Sequence, residues 1–220
     1  MSEKSKSFLP KWIQDGFVGL LTPLVRLFTK WNFNPNTFTV WGLLITTSGA
    51  IVLLLRPDLV SLAGGLVLLG GICDIIDGKL ARNSGRETKF GALFDSSIDR
   101  YSEVIMFFGI AAYYVRGDNY LLSVMTFIAL GGSTMVSYIR ARAEGLGFDA
   151  KVGMMQRPER VVFIGLGALF HFTLFELNGF NVTLLEIAIW AVAIFANYTA
   201  IQRMFHVYAQ DRVQSRQEER

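Results

Sequence analysis

Long apolar runs separated by short polar breaks occupy most of the chain. Six of them are long enough for helices that cross a hydrocarbon core, which takes about 20 residues each. They lie near 36–56, 59–82, 90–115, 119–143, 160–178 and 182–206. On one side the breaks between runs are brief, at 56–58, 116–119 and 176–179. Residues 10–31 have a different pattern. Ile13, Phe17, Leu20, Leu21, Leu24, Phe28 and Trp31 recur at helical spacing, while Lys11, Asp15, Thr22, Arg26 and Lys30 fall elsewhere around the same helix. Charges recur throughout this segment, Trp12 and Trp31 bracket it, and Pro23 is expected to kink it. That pattern predicts an amphipathic helix lying in the membrane interface rather than a span. The predicted fold class is an all-α integral membrane protein, with six transmembrane helices preceded by an interfacial helix. Its parts are a polar N-terminal tail at 1–9, a membrane domain at 10–208 (interfacial helix 10–31, spans within 36–206) and a polar tail at 209–220. No internal repeat is visible, and no stretch remains for a separate soluble domain.

Composition agrees with the pattern. The chain is 52% hydrophobic and only 18% charged over its 220 residues, a balance outside the range of soluble domains. The net charge of +3 matters less than where the charges fall. The short breaks hold only Arg56 and Arg116 of the 21 Lys and Arg residues. By the positive-inside rule the remaining cations place both termini and the charged loops in the cytoplasm. Those cations are accounted for at the membrane border, so no nucleic-acid partner is expected. The polar first residues lead us to expect no secretory signal peptide. The single cysteine, Cys73, lies in an apolar run and excludes an intrachain disulfide.

Four aspartates interrupt this apolar background. Asp74, Asp77 and Ala81 sit at i, i+3 and i+7, and Gly91, Asp95 and Asp99 at i, i+4 and i+8. Each set therefore shares one helical face. A carboxylate in a membrane helix costs roughly 2.5–3.5 kcal/mol on insertion scales, and four together repel one another. Hard divalent cations, Mg²⁺ or Mn²⁺, favour such oxygen ligands, so the arrangement predicts a metal site. The alternative is a set of internal salt bridges with Lys79, Arg82 and Arg100. Glu103 extends the Asp95/Asp99 face and is expected to pair with Arg100 in a structural role.

The full pattern, D-x2-D-G-x2-A-R-x8-G-x3-D-x3-D from Asp74 to Asp99, resembles the signature of the CDP-alcohol phosphotransferase family without a mismatch. The resemblance covers residues 10–208 and includes Pro35, Asn36 and Thr39 at the start of the first span. It implies six spans after an interfacial helix, and metal-dependent transfer of a substituted phosphate from a CDP-lipid to an alcohol, releasing CMP. Two ions are implied, held by Asp74, Asp77 and Asp95, with Asp99 as general base and a further contact to the second ion. The CDP-lipid is placed against Pro35, Asn36, Thr39, Gly78, Ala81, Arg82, Thr88 and Gly91.

Further cations gather at the ends of the later spans: Ser137 accompanies Arg140 and Arg142, followed by Lys151, Arg157, Arg160 and Arg203. One reading is a set of snorkelling anchors for anionic headgroups. The favoured one is an anion pocket, because arginine grips phosphate through paired donors. Within the family these residues look most like the prokaryotic phosphatidylinositol-phosphate synthases. That likeness implies an acceptor phosphate, that of inositol 1-phosphate, bound by Ser137, Arg140, Arg142, Arg157, Arg160 and Arg203. The likeness has one departure, since lysine is common at the Arg140 position. Glycerol 3-phosphate, the acceptor of phosphatidylglycerol-phosphate synthases, is the close alternative. Two other classes also place carboxylates in membranes. A prenyltransferase needs different aspartate spacing, and a divalent-cation transporter needs polar residues through the full bilayer depth. His171 and His206 have no ligand partner at useful spacing and are expected to be structural or interfacial. The implied setting is the cytoplasmic membrane, multi-pass, with the active site facing the cytoplasm. The family habit, and small-residue faces such as Gly64-Gly65 and Gly70-Gly71, suggest a homodimer.

Overall fold

Local chemistry sets the helix boundaries. A computed structural model describes residues 10–177 and 180–218; the N-terminal tail at 1–9 lies outside them. Helix α1 spans Lys11–Lys30 and α2 spans Pro35–Leu55. Between them Asn34 caps α2 by accepting from Asn36 N at 3.1 Å, and Pro35 fills the first helical position, where its missing N–H costs nothing. A short 3₁₀ turn, Pro57–Leu59, leads into α3, Val60–Ser84. Gly85 ends α3 in the left-handed region, φ 64°, the conformation glycine adopts most readily. Thr88 then caps α4, Lys89–Arg116, by accepting from Gly91 N at 2.9 Å. Helix α5 spans Tyr120–Gly145 behind an Asn119 cap, and α6 spans Arg157–Leu169 with Pro158 in its first turn. A two-stranded antiparallel hairpin follows, β1 (Thr173–Leu177) and β2 (Phe180–Thr183), before the long α7, Leu184–Glu218. The last helix runs on through the polar residues 209–218.

Among the described residues four helices, α2, α3, α5 and α7, are long and apolar enough to cross a membrane by length and composition. Helix α4 is also long, 28 residues, but carries the charged face of the site. The fifth predicted span needs correction. It is helical for only 13 residues, and Thr173–Leu177 pairs with Phe180–Thr183 as strands instead. The cause is legible afterwards: the run from Phe170 to Phe175 is rich in aromatic residues, and Asn178-Gly179 is a hairpin-forming dipeptide.

Packing places α2 against α3 and α4, α3 against α6, and α7 against α5 and α6. Phe107, Ile110, Met155, Ile164, Leu185 and Ile189 form the shared core. At Gly70 a side chain would collide with Thr46 on α2, so glycine permits the α2–α3 approach. Helix α1 docks through a smaller cluster, Val25, Phe38, Ile76 and Leu80, and Lys79 donates to the Val18 carbonyl at 3.1 Å. The outer surface is strongly apolar, with Leu44, Leu62, Phe108, Val124, Ile194 and Ile201 exposed. A surface of this kind faces lipid.

Candidate active site

Helices α3 and α4 are joined at 85–88 and both pack on α2, and their aspartates come together at one point. Asp74, Asp95 and Asp99 each offer an oxygen, and these all lie within 4.8 Å of one another. Asp77 sits just behind them, 4% exposed, on the wall of a crevice that also holds Asp74 and Asp99. Two oxygens, Asp77 Oδ2 and Asp95 Oδ1, are buried without a hydrogen-bond partner. A cation already stands among the carboxylates. Arg157 donates to Asp74 Oδ2 at 2.7 Å and meets Asp99 Oδ1 at 2.6 Å. Oxygen donors alone, two of them orphaned, around a spot that attracts positive charge suit a hard divalent ion.

Beside the cluster opens a cavity of about 720 Å³, of the size that takes a drug-sized ligand. Every residue assigned from sequence to the CDP-lipid lines it: Pro35, Asn36, Thr39, Gly78, Ala81, Arg82, Thr88 and Gly91. Asp77 and Asp95 form the wall it shares with the carboxylates. At Gly78 an added Cβ would meet only the Arg82 guanidinium, at 3.7 Å, so that glycine leaves room on the cavity side. At Gly91 it would press on the Thr88 hydroxyl, at 2.9 Å, and disturb the α4 cap. Arg86 and Glu87 also line the cavity and are absent from the sequence reading. Arg86 donates to the side chain of Asn32 and, at 3.3 Å, to its carbonyl, tying the α3–α4 loop to the α1–α2 corner.

The basic constellation is dispersed. Arg160, 0% exposed, gives its guanidinium to Glu103 at 2.6 and 3.1 Å and to the Met155 carbonyl. Two expectations change with it: Glu103 pairs with Arg160 rather than Arg100, and Arg160 has its donors committed to protein. Arg203, also buried, donates to the carbonyls of Val136 and Val152 at 2.6 and 2.9 Å. Arg140 pairs with Glu144 one turn on, Arg142 is exposed, and Ser137 is half-buried. Arg157 joins the carboxylates. Its position there escapes sequence reasoning because its partners lie on other helices.

Four helices long and apolar enough to cross a membrane, with a half-buried carboxylate cluster that suits a divalent metal, define the class, a multi-pass helical membrane protein. A family model described as CDP-alcohol phosphatidyltransferase matches residues 32–201. The chain belongs to that family and is a transferase. It is 34% identical over 206 residues to the phosphatidylinositol phosphate synthase of Streptomyces avermitilis, covering 92% of this chain and 83% of that one. It is 37% identical over 173 residues to the archaetidylinositol phosphate synthase of Pyrococcus horikoshii, covering 78% and 81%. Among solved structures, it resembles the Mycobacterium tuberculosis phosphatidylinositol phosphate synthase with CDP-DAG bound, TM-score 0.72 at 28% identity, covering 85% and 92% of the two chains. The same enzyme in complex with manganese and citrate gives a TM-score of 0.69 at 28% identity, covering 85% and 88%.

Proposed function

We propose that this chain transfers the lipid-bearing phosphate of CDP-diacylglycerol to inositol 1-phosphate and releases CMP. The observation that carries this reading is the juxtaposition of the Asp74–Asp95–Asp99 group with a nucleotide-sized cavity lined by the family signature. Asp74, Asp77, Asp95 and Asp99 would hold divalent metal, two ions by family resemblance. The metal, when bound, supplies neutralisation of the diphosphate and Lewis acidity at its oxygens. Asp99 takes the proton from the acceptor hydroxyl. The freed oxygen attacks the phosphorus that carries the lipid, and the bond to CMP breaks. Arg82 and the capped start of α4 hold the nucleotide side. Arg157, with Ser137, Arg140 and Arg142, attracts the acceptor's phosphate. Arg160, bonded to Glu103 and the Met155 carbonyl, and Arg203, bonded to the Val136 and Val152 carbonyls, support that wall from behind.

In this reading α2 to α5 and α7 cross the cell membrane, and α6 with its hairpin makes the sixth pass. Helix α1 lies in the cytoplasmic interface, the site and both ends of the chain face the cytoplasm, and the protein works as a homodimer.

The test is CMP release by purified protein in detergent with CDP-diacylglycerol and Mg²⁺ or Mn²⁺. Parallel reactions contain inositol 1-phosphate, glycerol 3-phosphate, inositol or serine. Release with inositol 1-phosphate alone is expected. Release only with glycerol 3-phosphate overturns the acceptor, and silence with every acceptor overturns the donor.

A further inference from the structure

Two arginines one turn apart on α6 face very different partners. Arg160 has its guanidinium satisfied by both oxygens of Glu103 and by a backbone carbonyl. Arg157 reaches Asp74 at 2.7 Å and Asp99 at 2.6 Å, yet its buried Nε has no hydrogen-bond partner. It springs from the first residue of α6, so rotation of its side chain alone can withdraw it. Two of the three clustered carboxylates are thus neutralised by a cation that belongs to the chain. A divalent ion held by the same carboxylate oxygens would sit against that guanidinium. Like charges at such range repel strongly where water is scarce.

We propose that Arg157 is a tethered counter-cation of Asp74 and Asp99 that divalent metal displaces, and that the displaced guanidinium is what meets the acceptor's phosphate. The second half rests on the function proposed above; the first does not. Arg157 then links the two ligands. A phosphate that draws it away raises metal affinity, and metal raises affinity for that phosphate by the same factor. It also spares the metal-free protein two unpaired charges on the half-buried Asp74 and Asp99.

Mn²⁺ binding, followed by loss of the free-ion paramagnetic resonance signal without nucleotide, tests the first half. Arg157→Gln removes the competing cation and is expected to bind Mn²⁺ about tenfold tighter than the unaltered protein, the ratio that one charge-assisted hydrogen bond supports. Arg157→Lys keeps one point charge and should fall between. Equal or weaker binding in both variants overturns the proposal and makes Arg157 an organiser of the metal ligands instead. A second measurement needs only the unaltered protein. Inositol 1-phosphate, at levels that leave Mn²⁺ in buffer free, is expected to tighten Mn²⁺ binding several-fold. No tightening overturns the linkage, and so does equal tightening in Arg157→Gln. Failure of CMP release in the reactions above would count against the proposed function, while the Mn²⁺ titration would still decide the role of Arg157.

Discussion

Asp99 and Arg160 show how much a single side chain carries here. Asp99 faces the cluster and is the proposed base, so Asp99→Asn is expected to cut CMP release by about 10²–10⁴-fold, the usual share of general-base catalysis. Asp74→Asn should lose activity to a similar degree, with thermal melting in detergent checking that both variants remain folded. Arg160 acts on stability. Arg160→Met strands Glu103 as a buried unpaired charge, a change that costs about 3–5 kcal/mol and should lower the melting temperature accordingly. Adding Glu103→Leu should restore most of the loss. The aspartates are legible from sequence because their partners lie three or four residues away, where helical periodicity decides the geometry. The arginine partnerships are not. Arg157 meets an aspartate 83 positions away and Arg160 a glutamate 57 positions away, and only the rotation and depth of α6 select those pairs.

At the scale of elements, α2 and α3 pack along the crevice that holds Asp74, Asp77 and Asp99. Gly70→Ala would drive a methyl against Thr46 and the Gly42 carbonyl, so a loss of about 1–3 kcal/mol is expected from overpacking. Thr46→Ala should recover part of it, as read by the same melting measurement. The nucleotide-side residues are legible because capping chemistry and the signature are local: Asn34, Thr88 and Gly85 mark the turns that aim the cavity's mouth. Five of the six stretches expected to span are long helices, legible from their apolar length, and four of these are apolar enough to cross a membrane. The hairpin is not, because an apolar run of strand length cannot be told from a buried helix by periodicity, and Asn178-Gly179 reads equally well as an ordinary loop. Arg86 and Glu87 escape for another reason: a loop residue lines a cavity only by virtue of how two helices are brought together.

For the whole molecule, orientation is the property most open to test. In a Cys73→Ala background, Gly117→Cys between α4 and α5 is expected to react with an impermeant maleimide in intact cells. Gln214→Cys near the end of α7 should react only after permeabilisation. The reverse pattern would invert the proposed topology. Helix α6 also bears on the bilayer itself. Its 13 residues reach only about 20 Å, whereas the hydrocarbon core is about 30 Å thick. An open hairpin edge cannot face hydrocarbon, because its backbone groups would go unpaired. With its exposed Phe172, Leu174 and Phe175, the hairpin therefore belongs at headgroup depth. In the proposed topology, where α6 and its hairpin make one pass, the lipid beside α6 thins to meet it, by a mismatch whose cost grows with each ångström of membrane thickness. The protein should thus be most stable in short-chain bilayers and lose stability as acyl chains lengthen, which makes membrane thickness a control on the enzyme that acts from the side opposite its chemistry.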